Sequence, residues 1–414
     1  MSSASASFLH GPSAATSDPS ANFLQRVIDE AAYFNLFSMA DGGPSNPVIR
    51  DSSGSVIGMQ VRERLHRFCV SVAPSSPERP MKARNVVGEP AGRFSHRWML
   101  APDDWDATPD RDPPPTPLNP SRSQRFVMMD SVCAFREGDD GFQGFGTGRT
   151  LPGRDSSGNT KILITAVGTI LKGFGKFSGH DAGTYVYCGS LTATNTFQGN
   201  VLLRVMDPQL DLQTDADVYE FAQQTDPEPG VTYLMFRGQA VPSDSVTPAL
   251  GADQQPTGLI VVQGLRLLEL DFKTKGPGGL QSIAKVGGSI GQITATVTFD
   301  ISAPGGSNLD PIPFLADDQF VFFDRHGAPN AGGFHANSTE GRVFKALLVG
   351  QPAIRFGGTG EILSGSGPFA GMTGLMTDNS VVSFTPHVSA SVYLLRVDDP
   401  QRKFRIEGAN HPRA

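Results

Sequence analysis

Cysteine is scarce in this chain. Cys69, Cys133 and Cys188 are the only three, and no two lie close together, which excludes a zinc knuckle, a CxxC redox motif and a disulfide scaffold. Runs of positive charge are also missing. The net charge is -7 and no stretch of Lys and Arg could track phosphates, so a nucleic-acid partner is not expected. No segment reaches the roughly 18 apolar residues of a membrane span. The first residues, MSSASASFLHGPSAATSDPS, have neither the basic head nor the apolar middle of a signal peptide. A soluble, cytoplasmic protein is the resulting expectation. The eight histidines are scattered without HxH or HExxH spacing, so no metal is expected. No GxSxG elbow stands between a strand and a helix.

Glycine and proline are abundant, at 47 and 32, and charged residues make up only 18%. That balance fits turn-rich β structure better than a helical bundle. At 414 residues the chain exceeds one compact core, so two domains or one duplicated unit are expected.

Along the chain, residues 1 to about 20 are rich in Ser, Ala and Pro. A helix is predicted next: Ser20 can cap it, and Phe23, Val27, Ala31 and Phe34 recur at helical spacing. Short strands follow in VIRDSSGSVIGMQV, with a Ser-Gly turn, and in RFCVSVAP. Residues 101–124, APDDWDATPDRDPPPTPLNPSRSQ, are too proline-dense for a helix or a central strand and read as an extended arm. From 125 the texture is β, with short runs such as RFVMMDSVCAF, KILITAVGTIL, AGTYVYCGSL and GNVLLRVMDP between turn residues. Residues 207–257 read as a long acidic connection with one strand at VTYLMFRG.

The chain repeats itself. ILKGFGKFSG at 170–179 matches ILSGSGPFAG at 362–371, and LLRVMDP at 202–208 matches LLRVDDP at 394–400 at the same offset. FVMMD at 126–130 parallels FVFFD at 320–324, and GFQGFGTGRT parallels GFHANSTEGRVF, which aligns Arg149 with Arg342. Four blocks in conserved order point to a duplication. A period of roughly 190 residues is too long for a solenoid and suits two β-domains in tandem. We read residues 1–124 as an N-terminal extension with a helix and a proline-rich strap, 125–256 as a first β-barrel repeat with its acidic connection, and 257–414 as a second.

The glycine cluster GFQGFGTGRTLPG, residues 141–153, resembles a nucleotide-binding loop only superficially. Such a loop needs a helix directly after it, pointing its N-terminus at the phosphates. LPGRDSSGNT follows instead, and the second copy has lost most of the glycines. These glycines are therefore expected to ease a sharply coiled strand, and no cofactor is expected.

The paired ILKGFGKFSG and ILSGSGPFAG, with GGTG at 357–360, resemble a motif of allene oxide cyclase and dirigent proteins. The resemblance covers roughly 125–208 and 320–400. It implies eight-stranded antiparallel β-barrels, calycin-like in form, with an axial pocket for an apolar, often unsaturated or phenolic molecule. It also implies cyclisation, isomerisation or radical coupling without a cofactor, and association as homo-oligomers, commonly trimers.

Independently of that likeness, the informative positions are polar residues on apolar strands, because burying them is costly unless they are satisfied or used. Asp130, with Asp324 as its counterpart, is a candidate general base, or else an acid at a strand end. Arg149 and Arg342 either serve the site or pair structurally with those aspartates. Arg204 and Arg396 are expected to pair with Asp207 and Asp399 at turns. Tyr185 and Tyr187 share one face of a strand and can hold an oxyanion, or simply fill a core. His180 lies in a turn beside them, and His96 and Arg97 in FSHRW are candidates for a lid.

The catalytic candidates are thus Asp130, Arg149, Tyr185, Tyr187 and His180, and the substrate-binding candidates are Phe142, Phe145, His335 and Arg342. The function expected is a cofactor-independent lyase, isomerase or cyclase using general acid/base chemistry on a hydrophobic small molecule, a phenylpropanoid-type dimer or an oxygenated fatty acid. The alternative is a non-catalytic dirigent-like or lipocalin-like binding protein.

Overall fold

The structure is a computed structural model. It describes residues 31–404 except 42–46, 75–80, 101–122, 136–137, 155–157, 192–196, 217–227, 240–245, 253, 274–279, 300–304, 325, 330, 349–350 and 385–386. The fold is mainly β, and its strands pair antiparallel apart from an isolated parallel bridge between Gln213 and Ser282. Its strands are β1 (Ala31–Ala40), β2 (Val48–Arg50), β3 (Val56–Pro74), β4 (Met81–Leu100), β5 (Gln124–Phe135), β6 (Asp140–Arg154), β7 (Thr160–Phe174), β8 (Gly183–Leu191) and β9 (Phe197–Met206). They continue as β10 (Val231–Gln239), β11 (Val246–Leu250), β12 (Pro256–Lys273), β13 (Gln281–Thr298), β14 (Ile312–Phe322), β15 (Gly333–Leu348), β16 (Gln351–Ser366), β17 (Gly374–Phe384) and β18 (His387–Asp398).

The predicted N-terminal helix is corrected. Ala31 and Phe34 belong to β1, which pairs with β9 on one side (Tyr33 opposite Arg204) and β3 on the other (Phe37 opposite His66). Its first eight residues are all buried, so it lacks the polar alternation of a one-sided strand, and its apolar spacing imitates a helix. Ser20, Phe23 and Val27 lie outside the described residues, as does the proline-dense arm up to residue 122. Among the described residues no helix is long and apolar enough to cross a membrane.

Strands β3 to β9 pair each with the next in chain order. Strands β12 to β18 do the same, and β10 pairs with both β12 and β18. The turn expected in VIRDSSGSVIGMQV is present: the Asp51 carboxylate accepts from the N–H groups of Ser53 and Ser55 at 2.9 Å, closing β2 onto β3. The two glycine-rich repeats fold alike, each as a strand end running into one 3-10 turn, Gly175–Phe177 and Gly367–Phe369. The leading glycine of each turn has a positive φ, 62° and 59°, a conformation that L side chains resist.

Three large apolar clusters organise the packing. A first core gathers Phe34, Phe94, Trp98, Phe126, Phe135, Phe142, Phe177, Tyr185, Tyr187 and Phe197, from β1, β4–β6, β8, β9 and the first 3-10 turn, with Val61 and Leu65 of β3 and Phe272 of β12. A second holds Phe236, Phe320, Phe322, Phe334, Phe369 and Tyr393, from β10 and β14–β18. A third lies along a seam where β1 and β3–β9, one half of the described strands, meet β10 and β12–β18, the other half, and includes Tyr33, Phe68, Val167, Val186, Tyr233, Leu270 and Leu394. Alternation along β8 explains the division: Tyr185 and Tyr187 enter the first core, while Val186 and Cys188 enter the seam.

Candidate functional site

The glycines of β6 make room for aromatic rings. Gly144, Gly146 and Gly148 face Ile170, Gly168 and Ala166 on β7. A Cβ on Gly168 would collide with the Tyr185 ring, one on Gly146 would lie 2.8 Å from the Tyr185 hydroxyl, and one on Gly148 would strike Phe126. The bare backbone lets Tyr185 lie flat across two strands, and its hydroxyl donates to Ser131 Oγ at 3.0 Å.

Tyr187, two residues on, reaches the same core. Its hydroxyl donates to Glu63 Oε1 at 3.2 Å. Glu63 sits between Val61 and Leu65 on β3, and all three are buried. Burial pushes its carboxyl up to about 7, against the pull of the Ser38 and Tyr187 hydroxyls. Burial, and then the charge of Glu63, hold Tyr187 well above the ordinary phenol range, so it stays a donor.

His96, on β4 beside β3, completes the polar set. Its ring stacks 5.7 Å from that of Trp98 and meets Phe94 edge-on at 4.6 Å. Burial brings it down to about 3, so the imidazole is neutral. Among the described residues, both of its ring nitrogens and the Trp98 Nε1 are buried without hydrogen-bond partners. Orphaned buried polar atoms are rare, and His96 and Trp98 carry theirs on one face of the same strand.

The other candidates lie elsewhere. Asp130 sits at a bulge in β5 with φ 50°, its side chain 64% exposed and paired with Arg97. Arg149 turns away from Asp130 to Glu340, which it meets at 3.1 Å. Arg125 joins at 3.1 Å and Arg342 at 3.7 Å, so three guanidiniums converge on one carboxylate. Burial lowers the Arg342 pKa despite Glu340. Asp324 caps a turn, accepting from His326 N at 2.8 Å and Ala328 N at 3.0 Å.

Phe142 is core, 4.3 Å from the Phe177 ring. Phe145 and Arg342 both line a depression of about 10 Å³ with Val167 and Phe344, room for no more than one water. His335 is on β15, more than a third exposed, and paired with Asp317. His180 has its Nδ1 3.1 Å from the Met206 carbonyl and its Nε2 3.3 Å from Asp211.

His180, Asp207 and Asp211 have ligand atoms within 4.8 Å of one another. Asp207, however, is already occupied as a turn cap, accepting from Asp211 N at 3.1 Å, Leu212 N at 3.0 Å and Gln213 Nε2 at 3.2 Å. Asp399 does the same for Lys403 N and Phe404 N at 2.8 and 2.9 Å. The arginines expected to pair with these aspartates point elsewhere: Arg204 to Tyr33 and Arg396 to Glu228.

The second core is polar in its own way. Asp318 and Asp378 both face it; burial first, then Asp378, raises Asp318 well above its ordinary range, and burial pushes Asp378 up to about 7. Tyr393 donates to Gln263 Oε1 at 3.0 Å. The three cysteines are buried and free, and burial drives Cys69 and Cys188 up to about 12 and Cys133 higher still, so all are thiols.

A cleft of about 470 Å³ opens between the halves, with Lys161, Arg154, Glu361 and Asp398 among its walls. Lys161 Nζ lies 3.4 Å from Asp398 Oδ1, and burial followed by repulsion from Arg396 lowers its pKa.

The signal that would have found Glu63 is present in QVRERLHR. Val61, Glu63 and Leu65 alternate with Arg62, Arg64 and His66, which puts the acid on the apolar face. No family model, curated protein or solved structure matches this chain.

Proposed function

We propose that the chain is a cofactor-independent lyase or isomerase that works by general acid/base chemistry on a hydrophobic small molecule bound in its first core. Glu63 carries the reading. A carboxyl poised near neutrality by an apolar surround can take up and return a proton at physiological pH. Ionised Glu63 removes a proton from carbon beside a carbonyl or aryl group. A tyrosine hydroxyl, Tyr185 or Tyr187, steadies the resulting oxyanion. Returning the proton at a second carbon completes an isomerisation with no oxidant or reductant. Neutral His96 and the Trp98 N–H are left to orient the substrate's oxygens. This keeps the chemistry implied by the likeness to allene oxide cyclase and dirigent proteins, and it moves the base from Asp130 to Glu63.

The architecture in this reading is a duplication into two eight-stranded barrels, β1 with β3–β9 and β10 with β12–β18, packed along the seam. Three correspondences support it. Tyr33 opposes Arg204 as Tyr233 opposes Arg396. The bulge near Leu65 and His66 has a twin near Leu265 and Arg266. Asp207 and Asp399 cap the same turn. Gln263 takes the place of Glu63 in the second copy, which favours the first as the active one.

The alternative is a binding protein without turnover, to which the apolar, aromatic character of the first core is equally suited. The test is incubation of the full chain with lignin-type dimers and epoxy fatty acids, with no cofactor added, followed by ultraviolet absorbance and product analysis. Turnover that Glu63→Gln abolishes supports the enzyme. Saturable binding without turnover supports the carrier. Turnover that needs NAD, flavin or a metal, or that survives Glu63→Gln, overturns the proposal.

A further inference from the structure

The seam between the halves buries more positive charge than its described residues neutralise. Arg204, on β9, and Arg237, on β10, are both fully or almost fully buried. Their shared partner is a phenol: Tyr33 Oη accepts from Arg204 Nε at 3.2 Å and from Arg237 Nη1 at 3.0 Å. The Arg237 guanidinium also lies 5.7 Å from the Tyr33 ring centre. Beyond these, Arg204 has among the described residues only the Met206 sulfur, 3.7 Å from Nη1. Arg204 Nη2 and both Nε and Nη2 of Arg237 have no hydrogen-bond partner among the described residues.

The other buried cations show what is missing here. Arg396 is answered by Glu228, with Nε 2.9 Å from Oε2. Arg67 is answered by Asp271 at 2.7 Å and Glu89 at 2.6 Å. Among the described residues, no carboxylate lies within ion-pair distance of Arg204 or Arg237. Nor do the neighbouring elements supply one. Ser282 Oγ, on β13, accepts from the Tyr33 N–H at 3.0 Å. Arg355, on β16, adds further positive charge, because Arg204 is close enough to help lower its pKa. Uncompensated buried charge costs several kcal/mol per ion. Water can satisfy a free N–H but cannot neutralise it.

We propose that the seam binds a small monovalent inorganic anion of the halide class, held by Arg204 Nη2 and by Arg237 Nε and Nη2 beside the Tyr33 hydroxyl. Both guanidiniums touch one oxygen, so their free donors lie on neighbouring groups and can converge on one ion. The anion neutralises one of the two cations and ties β9 of the first half to β10 of the second. It also competes with the other available counter-charge, a Tyr33 phenolate. Burial alone would raise that phenol, but Arg237 and Arg204 bring it down to about 8. An anion seated on the same arginines screens their pull, so Tyr33 should hold its proton more tightly when the site is filled.

The full-length protein, exchanged into sodium gluconate, whose anion is too bulky for the seam, is compared with the same protein in sodium bromide at equal ionic strength. Tyr33 is followed by phenolate absorbance near 295 nm, with Tyr33→Phe to identify its contribution. Burial raises the other four described tyrosines (Tyr185, Tyr187, Tyr233 and Tyr393) well out of this range. Bromide should raise the Tyr33 midpoint by about one pKa unit, raise the melting temperature with the logarithm of its concentration, and give one anomalous diffraction peak between Arg204 and Arg237. Arg237→Gln should abolish the bromide dependence of both readings. A Tyr33 midpoint that is the same in both salts, or bromide peaks confined to the outer surface, overturns the proposal.

Discussion

Tyr187, on β8, donates its hydroxyl hydrogen to Glu63, on β3, across the first core at 3.2 Å. The bond joins strands far apart in sequence and sets the two groups' roles, one a proton acceptor and the other a donor that does not ionise. If Glu63 is the base, Glu63→Gln should lower kcat by about 100-fold or more while leaving the fold intact, since the amide fills the same space. Tyr187→Phe should lower it less, because Tyr185 remains nearby. Steady-state kinetics on any substrate found in the panel decide this. Equal rates in Glu63→Gln and wild type would remove Glu63 from the chemistry.

The same carboxyl should be visible in stability. Its pKa is about 7 in the folded chain, against 4.5 for the free group. Between those values the folded state keeps a proton that the unfolded state has released, so stability is fully present below pH 4.5 and declines as pH rises through 7. The full loss from this group is on the order of 3 kcal/mol. Glu63→Gln abolishes it, so the variant should gain on wild type between pH 5 and 8 in urea titrations. Parallel curves for the two proteins would mean that Glu63 is not held protonated.

Gly168 tests the reason for the glycines. A methyl group there would meet the Tyr185 ring directly, and overpacking a core costs about 1–3 kcal/mol. Gly168→Ala should therefore lower the urea midpoint, and adding Tyr185→Leu should recover part of the loss. Gly179→Ala is the contrasting control: its Cβ meets nothing within 4 Å, but its φ is 95°, so any loss there is backbone strain that Tyr185→Leu cannot relieve. Equal recovery at both sites would refute the ring-clearance account.

Much of the β character was legible, because short runs such as KILITAVGTIL announce themselves by β-branched residues between turn signals. The paired glycine-rich motifs were also legible, and they fold into matching 3-10 turns. The failure at Ala31 and Phe34 has a definite cause: a strand buried on both faces carries no alternation to read. Tyr185 and Tyr187 could be placed on one face from their spacing alone. What they touch could not, because Glu63 and Ser131 come from strands that only the pairing brings near. Asp130 misled for a related reason. It follows an apolar run, but the bulge at that point turns its side chain out to Arg97. Arg204 and Arg396 looked like turn partners of nearby aspartates, and tertiary packing instead sends them into the seam.

Arg396 provides the last test, because its neutralisation is the counterpart of what Arg204 lacks. Glu228 meets Arg396 through both carboxylate oxygens, and it also accepts from Tyr233 Oη at 2.9 Å and Ser190 Oγ at 2.8 Å. Arg396, then Lys161, hold its carboxyl below the ordinary range although burial pushes the other way. Glu228→Gln removes the charge and keeps the shape, which leaves the buried Arg396 with Asp398 as its carboxylate, 3.5 Å from Nη1. Breaking one partner of a buried pair in this way costs about 3–5 kcal/mol. Changing both partners, Glu228→Gln with Arg396→Met, removes the buried cation and should recover most of that loss. Denaturant unfolding of the single and double variants measures the difference, and a single variant within 1 kcal/mol of wild type would show that Asp398 or water compensates Arg396 once Glu228 is neutral.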